Sequence, residues 1–168
     1  SRAGLRVGEH WMLRDLIKAL LLPSGNDAAR TIAVHIARSE YGDHLTIDEA
    51  FEQFAAMMNR RAQLAGATHS HFTNPHGLHD DHHYTTAMDI ALIAIDAMRL
   101  PEFREIVQLE LGEAVRADAH AEVIRLANRN RLLDEGSDYY YPAATGIKTG
   151  YTTTAGWCLV ASAEEGGR

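Results

Sequence analysis

A hydroxyl and a carboxamide lie close together in the stretch from Leu20 to Arg30, which reads L-L-L-P-S-G-N-D-A-A-R. The triplet Ser24-Gly25-Asn26 could hold these two groups for chemistry. The same residue types are also those expected between two helices, where Asn or Asp caps the second helix. Taken alone, the triplet indicates a helix–helix joint rather than a site.

A second group of chemical interest is Gly146-Ile147-Lys148-Thr149-Gly150, in a chain whose only lysines are Lys18 and Lys148. The ammonium of Lys148 and the hydroxyl of Thr149 together suit a carboxylate. Gly150 would let another backbone approach closely, and an extended peptide could pair along such a strand. By itself, the triplet Lys-Thr-Gly is too common to define a function.

The elements that must position these groups follow from periodicity and capping signals. An amphipathic helix is predicted over residues 11–22, and Pro23 ends it because a residue before proline avoids the α region. Asn26 or Asp27 can open the next helix. Further helices are predicted from the capping box Thr46-Ile47-Asp48-Glu49 to about Leu64, over residues 87–99, and from Pro101.

Strands are predicted towards the end of the chain. Residues 108–123 have a mixed pattern that indicates one or two strands, while residues 144–151 and 156–163 are clearer. The continuous apolar run from Trp157 to Ala161 favours a central strand covered on both faces. Trp11, Trp157 and Cys158 are accordingly expected in the core.

Composition restricts the class of protein. The 168 residues are 46% hydrophobic and 23% charged, as in ordinary globular domains, and the net charge of −7 argues against nucleic acid as a partner. No apolar run approaches the ~18 residues that span a bilayer. Cys158 is the only cysteine, so no internal disulfide can form.

The two motifs together carry more information than either alone. Penicillin-binding proteins and class A β-lactamases combine Ser-x-x-Lys, Ser-Asp-Asn and Lys-Thr-Gly in this order. Further matching segments cover nearly the whole chain. They are L-L-L-P-S-G-N-D-A-A, N-P-H-G-L, H-Y-T-T-A-M-D-I-A, N-R-N-R-L-L and G-I-K-T-G-Y-T-T-T-A-G-W-C-L-V-A-S-A. The chain resembles the D-alanyl-D-alanine carboxypeptidases of the low-molecular-mass penicillin-binding type.

That resemblance implies a fold and an activity. The fold would be α+β and β-lactamase/DD-peptidase-like, with helices packed on an antiparallel sheet. This chain would supply an incomplete, mostly helical portion and the Lys-Thr-Gly hairpin. The activity would be that of a serine peptidase acting through an acyl-enzyme on peptidoglycan stem peptides ending in D-Ala-D-Ala. It would work outside the cytoplasmic membrane without metal or cofactor.

The resemblance also implies roles for matching positions. Ser24 would pass a proton to the leaving amine, and Asn26 would hold the substrate's peptide group. Lys148 would supply positive charge, and Thr149 would bind the terminal carboxylate. The backbone N–H of Tyr151, where many relatives have histidine, would be one oxyanion donor.

One part of the family pattern is absent. The serines are followed three positions later by Gly4, Asp27, Gly42, Thr73, Tyr140 and Glu165, and none of these is lysine. The resemblance therefore implies that residues 1–168 are a partial catalytic domain truncated at both ends. N-terminal and C-terminal segments of the same domain would complete it, and a final strand would follow Arg168. The fragment alone is expected to be inactive.

Three alternatives remain open from the sequence. A class A β-lactamase would carry Glu-x-x-x-Asn, which is absent, so β-lactams are expected to inhibit rather than to be turned over. A non-catalytic module that binds cell-wall peptides would also fit a chain without the nucleophile. The histidine-rich loop from His69 to His83, with Asp80 and Asp81, could capture a metal, although no zinc motif appears and a solvated loop is favoured.

Overall fold

The computed structural model describes residues 1–117 and 122–166, which fold as two compact units. The first unit comprises Ser1–Ala28 and the described part of Met98–Arg168, and the second comprises Ala29–Ala97. The helices are α1 (Leu13–Leu21), α2 (Asn26–Tyr41), α3 (Ile47–Leu64), α4 (Ala87–Ala97) and α5 (Pro101–Val107). The predicted helices are therefore present, each within a few residues of its expected bounds.

The strands form two antiparallel pairs in the first unit. They are β1 (Leu111–Arg116), β2 (Glu122–Ala127), β3 (Ala144–Thr152) and β4 (Gly156–Ala163), with β1 paired to β2 and β3 to β4. The expected α+β class and the Lys-Thr-Gly hairpin are confirmed. Within the mixed region, residues 118–121 lie outside the described residues.

Alanines and branched aliphatic side chains make the core of the first unit, namely Ala19, Leu22, Ala28, Ile106, Ala114 and Leu126. The leucine spacing of α1 turns Leu16 and Ala19 inwards, and Leu22 after it is fully buried. Leu22 lies over Gly112 of β1, where a Cβ would stand 2.5 Å from its Cδ1. Helix α1 packs on β1, and α5 packs on β3.

A buried ion pair fixes α1 on β1. The carboxylate of Asp15, a residue only 7% exposed, accepts from Lys18 Nζ at 2.8 Å and from the backbone N–H of Val115 at 3.1 Å. Lys18 Nζ also donates to the carbonyl of Glu113 at 2.7 Å. Of the two lysines, Lys18 thus has a structural task.

Strand β4 contradicts the prediction of a covered central strand. Trp157 is 87% exposed and Leu159 51% exposed, and Cys158 is exposed as well. The reason is that β4 pairs with β3 alone among the described residues, so its apolar side chains lack a second layer. The placement of Trp157 and Cys158 in the core was wrong, whereas Trp11 packs against the core as expected.

The second unit is organised around a long loop between α3 and α4. The predicted capping box opens α3, with Glu49 N–H donating to Thr46 Oγ1 at 3.3 Å and Thr46 N–H donating to the Glu49 carboxylate at 2.8 Å. The carboxamide of Asn59 bonds both the N–H and the C=O of Phe72, at 2.7 and 2.8 Å. Asp89, 3% exposed, accepts from His69 N–H and Ser70 Oγ, both at 2.7 Å.

Asp89 therefore anchors the loop as well as lying in the first turn of α4. Its pKa is lowered, chiefly by the hydrogen bond from Ser70, against the opposing effect of burial.

Within residues 1–117 and 122–166, every helix is too short or too polar to cross a bilayer.

Removal of one partner from the buried ion pair should lower the free energy of unfolding much more than removal of one partner from an exposed pair. We expect Asp15→Ala to lower the free energy of unfolding by about 3 kcal/mol, because Lys18 would be left buried without its partner. Arg14 and Glu105 form the matched exposed pair, with side chains 56% and 58% exposed, so Glu105→Ala should cost under about 1 kcal/mol. Denaturant unfolding measures both, and equal losses would contradict the assignment.

The loop should lose stability in mild acid because of His83. Its Nδ1 accepts the N–H of Thr73 at 3.1 Å, which requires the neutral ring. Burial and the neighbouring His71 lower the pKa of His83 despite the opposing charge of Asp80. The unfolded state therefore takes up the proton first, and stability falls as pH drops below the ordinary histidine range, about 6.5.

His83→Asn keeps an acceptor that cannot be protonated in this range. We expect the variant to show a smaller loss of unfolding free energy between pH 7 and pH 5 than the unsubstituted protein. His79→Asn is the control, since the exposed His79 ring contacts the Asp81 side chain rather than the loop backbone. An unchanged pH dependence in His83→Asn would refute this role.

Candidate active site

The joint between α1 and α2 holds Ser24 in an uncommon backbone conformation. Its φ is +62°, in the left-handed region that costs a non-glycine residue of order 1 kcal/mol or more. Strain of this kind persists where the surrounding contacts over-determine the backbone. No hydrogen bond among the described residues engages the Ser24 hydroxyl or the Asn26 carboxamide, so both groups are free to meet a ligand.

Close packing around Gly25 restricts the centre of the joint to glycine. A Cβ on this buried residue would lie 2.7 Å from the carbonyl oxygen of Ala19 and 2.8 Å from Cβ of Ala3. Its N–H donates to that same Ala19 carbonyl at 3.1 Å. Only glycine fits here, and its two neighbours, Ser24 and Asn26, are held on either side of a fixed backbone.

Asp27 ties the start of the chain to the same joint. Its carboxylate accepts the N–H groups of Ala3, Gly4 and Leu5 at 2.8, 2.8 and 3.1 Å. Burial opposes ionisation of Asp27, but these backbone donors outweigh it and lower the pKa. The helix begins at Asn26, so Asp27 lies in its first turn and anchors a distant segment instead of only capping the helix.

The second motif lies on β3, where its residues follow one another along the strand. Lys148 is opposite Val160, Thr149 opposite Leu159, Gly150 opposite Cys158 and Tyr151 opposite Trp157. The Tyr151 and Trp157 rings stack at 4.6 Å between centroids. The hairpin with its turn at residues 153–155 thus presents a charge, a hydroxyl and an aromatic pair in sequence.

Lys148 is the strongly perturbed titratable group of the first unit. Burial lowers its pKa from the ordinary 10.5 to about 8, and the positive charge of Arg129 adds to this. The ammonium donates to the carbonyl of Thr149 at 2.9 Å. At neutral pH Lys148 remains mostly charged, and because it is partly buried, water screens its charge less than on an open surface, so it would attract an anion.

Arg129 is the residue that sequence reasoning missed. Its backbone N–H donates to the carbonyl of Leu22 at 3.1 Å, two residues before Ser24, while its charge acts on Lys148. Its guanidinium donates to Ser1 Oγ at 2.8 Å, so Arg129 is bonded near the start of α2 and acts on Lys148 through its charge, within one compact unit. The signal was present in N-R-N-R, where two asparagines bracket an arginine, but only the fold shows what Arg129 contacts.

Gly150 contrasts with Gly25. A Cβ on Gly150 would meet only Cβ of Cys158, at an ordinary 3.6 Å, among the described residues. Internal packing therefore does not require glycine at this position. A requirement for glycine here would come from a group that approaches β3 from outside.

The histidine-rich loop shows no arrangement suited to a metal. Among the residues that the structure describes, no three histidine, cysteine, aspartate or glutamate side chains converge as ligands would. The rings of His71 and His83 bond instead to the His82 carbonyl and to Thr73.

Comparison with known proteins agrees with the motifs. The chain matches the peptidase S11 family, described as D-alanyl-D-alanine carboxypeptidase, over residues 1–168. It is 31% identical to D-alanyl-D-alanine carboxypeptidase DacF of Bacillus subtilis, over 99% of this chain and 38% of that protein. It is 35% identical to D-alanyl-D-alanine carboxypeptidase DacB2 of Mycobacterium tuberculosis, over 98% of this chain and 50% of that protein.

The fold agrees as well. The crystal structure of the Streptomyces K15 DD-transpeptidase superposes with a TM-score of 0.86 at 32% identity, covering 99% of this chain and 61% of that one. The chain thus spans between 38% and 61% of these relatives. A family match over every residue, with both motifs in order and the same fold, establishes that this chain belongs to the D-alanyl-D-alanine carboxypeptidase family.

Proposed function

We propose that the protein acts as a serine-type D-Ala-D-Ala carboxypeptidase that trims peptidoglycan stem peptides and binds penicillins. The observation that carries the proposal is that one compact unit holds the unbonded side chains of Ser24 and Asn26 together with the partly buried ammonium of Lys148, whose pKa is lowered to about 8. An anion-attracting strand in the same unit as an unbonded hydroxyl and carboxamide suits a peptide that ends in a carboxylate. Peptidoglycan lies outside the cytoplasmic membrane, so we propose that the protein works there.

The chemistry is an acyl transfer to a serine and then to water. The serine oxygen attacks the carbonyl of the penultimate D-alanine, and the C–N bond breaks to release D-alanine and leave an ester. Water then hydrolyses the ester to regenerate the serine. No Ser-x-x-Lys stands within the 168 residues, so we propose that this serine is supplied from outside them.

Each group on the two motifs has a task in this scheme. Ser24, with its free hydroxyl, relays a proton to the departing amine, and Asn26 binds the peptide group of the substrate. The Lys148 ammonium offsets negative charge near Ser24, and Thr149 Oγ1 binds the terminal carboxylate. The backbone N–H of Tyr151 donates to the oxyanion, and Gly150 leaves room for the substrate strand along β3.

Formation of an acyl-enzyme with a fluorescent penicillin tests the proposal directly. We expect the fluorescent penicillin to leave residues 1–168 alone unlabelled. We expect it to label a longer polypeptide that contains residues 1–168 together with the sequence encoded on either side of them. Ser24→Ala in the longer polypeptide should slow acylation about 100-fold or more, because the proton relay is lost. Glu105→Ala, at the exposed ion pair, is the matched control and should leave the rate unchanged.

Two results would overturn the proposal. Labelling of residues 1–168 alone would show that the nucleophile lies within them. Rapid multiple turnover of nitrocefin by the longer polypeptide would indicate a β-lactamase instead of a carboxypeptidase that β-lactams inhibit.

The titration of Lys148 should appear in the pH profile of acylation. Because its pKa is about 8, Lys148 is charged below that pH and neutral above it. We therefore expect the acylation rate to fall as pH rises through about 8. Arg129→Gln removes the repulsion and should move this alkaline limb upwards, whereas Arg125→Gln, an exposed arginine of β2, should not. An alkaline limb that stays in place in Arg129→Gln would contradict the assignment.

A further inference from the structure

Asn128, the first residue after β2, binds the end of helix α5. Its side-chain Nδ2 donates to the carbonyl of Val107 at 3.2 Å and to the carbonyl of Leu109 at 2.9 Å. Val107 is the last residue of α5, where helical carbonyls have no partner within the helix. Asn128 thus supplies, from another segment, the hydrogen bonds that the end of α5 lacks.

The same residue fixes the backbone on both sides of Arg129. Its N–H donates to the carbonyl of Glu110 at 2.8 Å, and its Oδ1 accepts the N–H of Asn130 at 3.0 Å. Asn130 is 2% exposed and therefore anchored in the interior. Arg129, held between the two asparagines, directs its N–H to the Leu22 carbonyl at 3.1 Å.

The Lys148 strand rests on the end of α5 that Asn128 binds. Gly146 lies two residues before Lys148, and a Cβ at Gly146 would stand only 2.9 Å from Cγ2 of Val107. This close approach fixes the height of β3 over α5, in agreement with the packing of these two elements. Val107 therefore contacts β3 through its side chain and Asn128 through its carbonyl.

We infer that Asn128 is a positioning residue that fixes the α1–α2 joint at Ser24 relative to strand β3, which carries Lys148. One carboxamide joins the end of α5, which supports β3, to the backbone N–H of Asn130. The preceding residue, Arg129, binds the carbonyl of Leu22. The catalytic importance of this relative position rests on the proposed function, but the relative position itself does not. Loss of the carboxamide would leave the Val107 and Leu109 carbonyls unpaired, would weaken the support of β3 that keeps Lys148 partly buried, and would free the backbone on both sides of Arg129.

Asn128→Leu keeps the approximate shape of the side chain and removes its hydrogen bonds. The matched control is Asn59→Leu in the second unit, where one carboxamide likewise bonds a backbone N–H and a backbone carbonyl. Both variants should lose comparable unfolding free energy, so a purely structural effect appears equally in the two. Asn128→Ser, whose shorter side chain cannot replace the two hydrogen bonds of Nδ2, carries the same expectation if the leucine variant does not fold.

The first readout is direct and independent of catalysis. Because Lys18 and Lys148 are the only lysines, ¹³Cε-lysine NMR of residues 1–168 gives two signals, which Lys18→Met assigns. We expect Lys148 to titrate near 8 in the unsubstituted chain and in Asn59→Leu, and at clearly higher pH in Asn128→Leu. A Lys148 titration that is the same in all three chains would overturn the inference.

The second readout is penicillin acylation by the longer polypeptide. We expect Asn128→Leu to slow acylation about tenfold to 100-fold, since small displacements of catalytic groups have effects of this size. Asn59→Leu should acylate at the unsubstituted rate, and an equal slowing in both variants would overturn the inference. If the unsubstituted polypeptide is not acylated at all, the proposed function fails, whereas the lysine titration still decides the role of Asn128.

Discussion

The burial of Leu22 is the constraint on which the candidate site depends. Its side chain is fully buried over Gly112 of β1, and its carbonyl accepts the N–H of Arg129. Side chain and backbone of one residue thus fix the point where α1 ends. Pro23 cannot continue the helix, so the chain must turn at once, and Ser24 takes the strained conformation that this turn requires. Truncation of a leucine so completely buried costs about 2–5 kcal/mol in other proteins, and here the position of Ser24 would be lost along with that stability.

The electrostatics of the site follow from the same packing. Lys148 lies on a strand that contacts α5 closely, and its burial there weakens its hold on the proton. Arg129, whose backbone is bound to Leu22, adds the effect of a like charge to the lowered pKa of Lys148. A lysine with a pKa near 8 keeps its charge at neutral pH but yields it in mild alkali. Lys18, which lies in an ion pair with Asp15, shows how different an environment the same residue type can occupy in one unit.

Hydrogen bonds from single side chains to distant backbone hold the irregular segments of both units. Asn59 and Asp89 fix the histidine-rich loop of the second unit, and Asp27 and Asn128 fix the segments around the joint in the first. Each satisfies backbone groups that helices and strands leave unpaired.

The apolar residues of β4 illustrate the opposite case. Trp157 stays 87% exposed because hydrophobicity alone cannot bury a side chain for which the described residues provide no second layer.

Local sequence patterns were enough to predict the helices and strands, and the two motifs were enough to indicate the family. Periodicity and capping depend on neighbours within a few residues, so the capping box at Thr46, the stop at Pro23 and the Lys-Thr-Gly strand could be read without coordinates. Only the fold reveals that Arg129 bonds to Leu22, that Asp27 anchors residues 3–5, and that Trp157 lies outside the core. The hydrogen bonds join residues far apart in the chain, and the exposure of Trp157 depends on which elements pack against β4. A pattern of neighbouring residues does not specify such long-range partners.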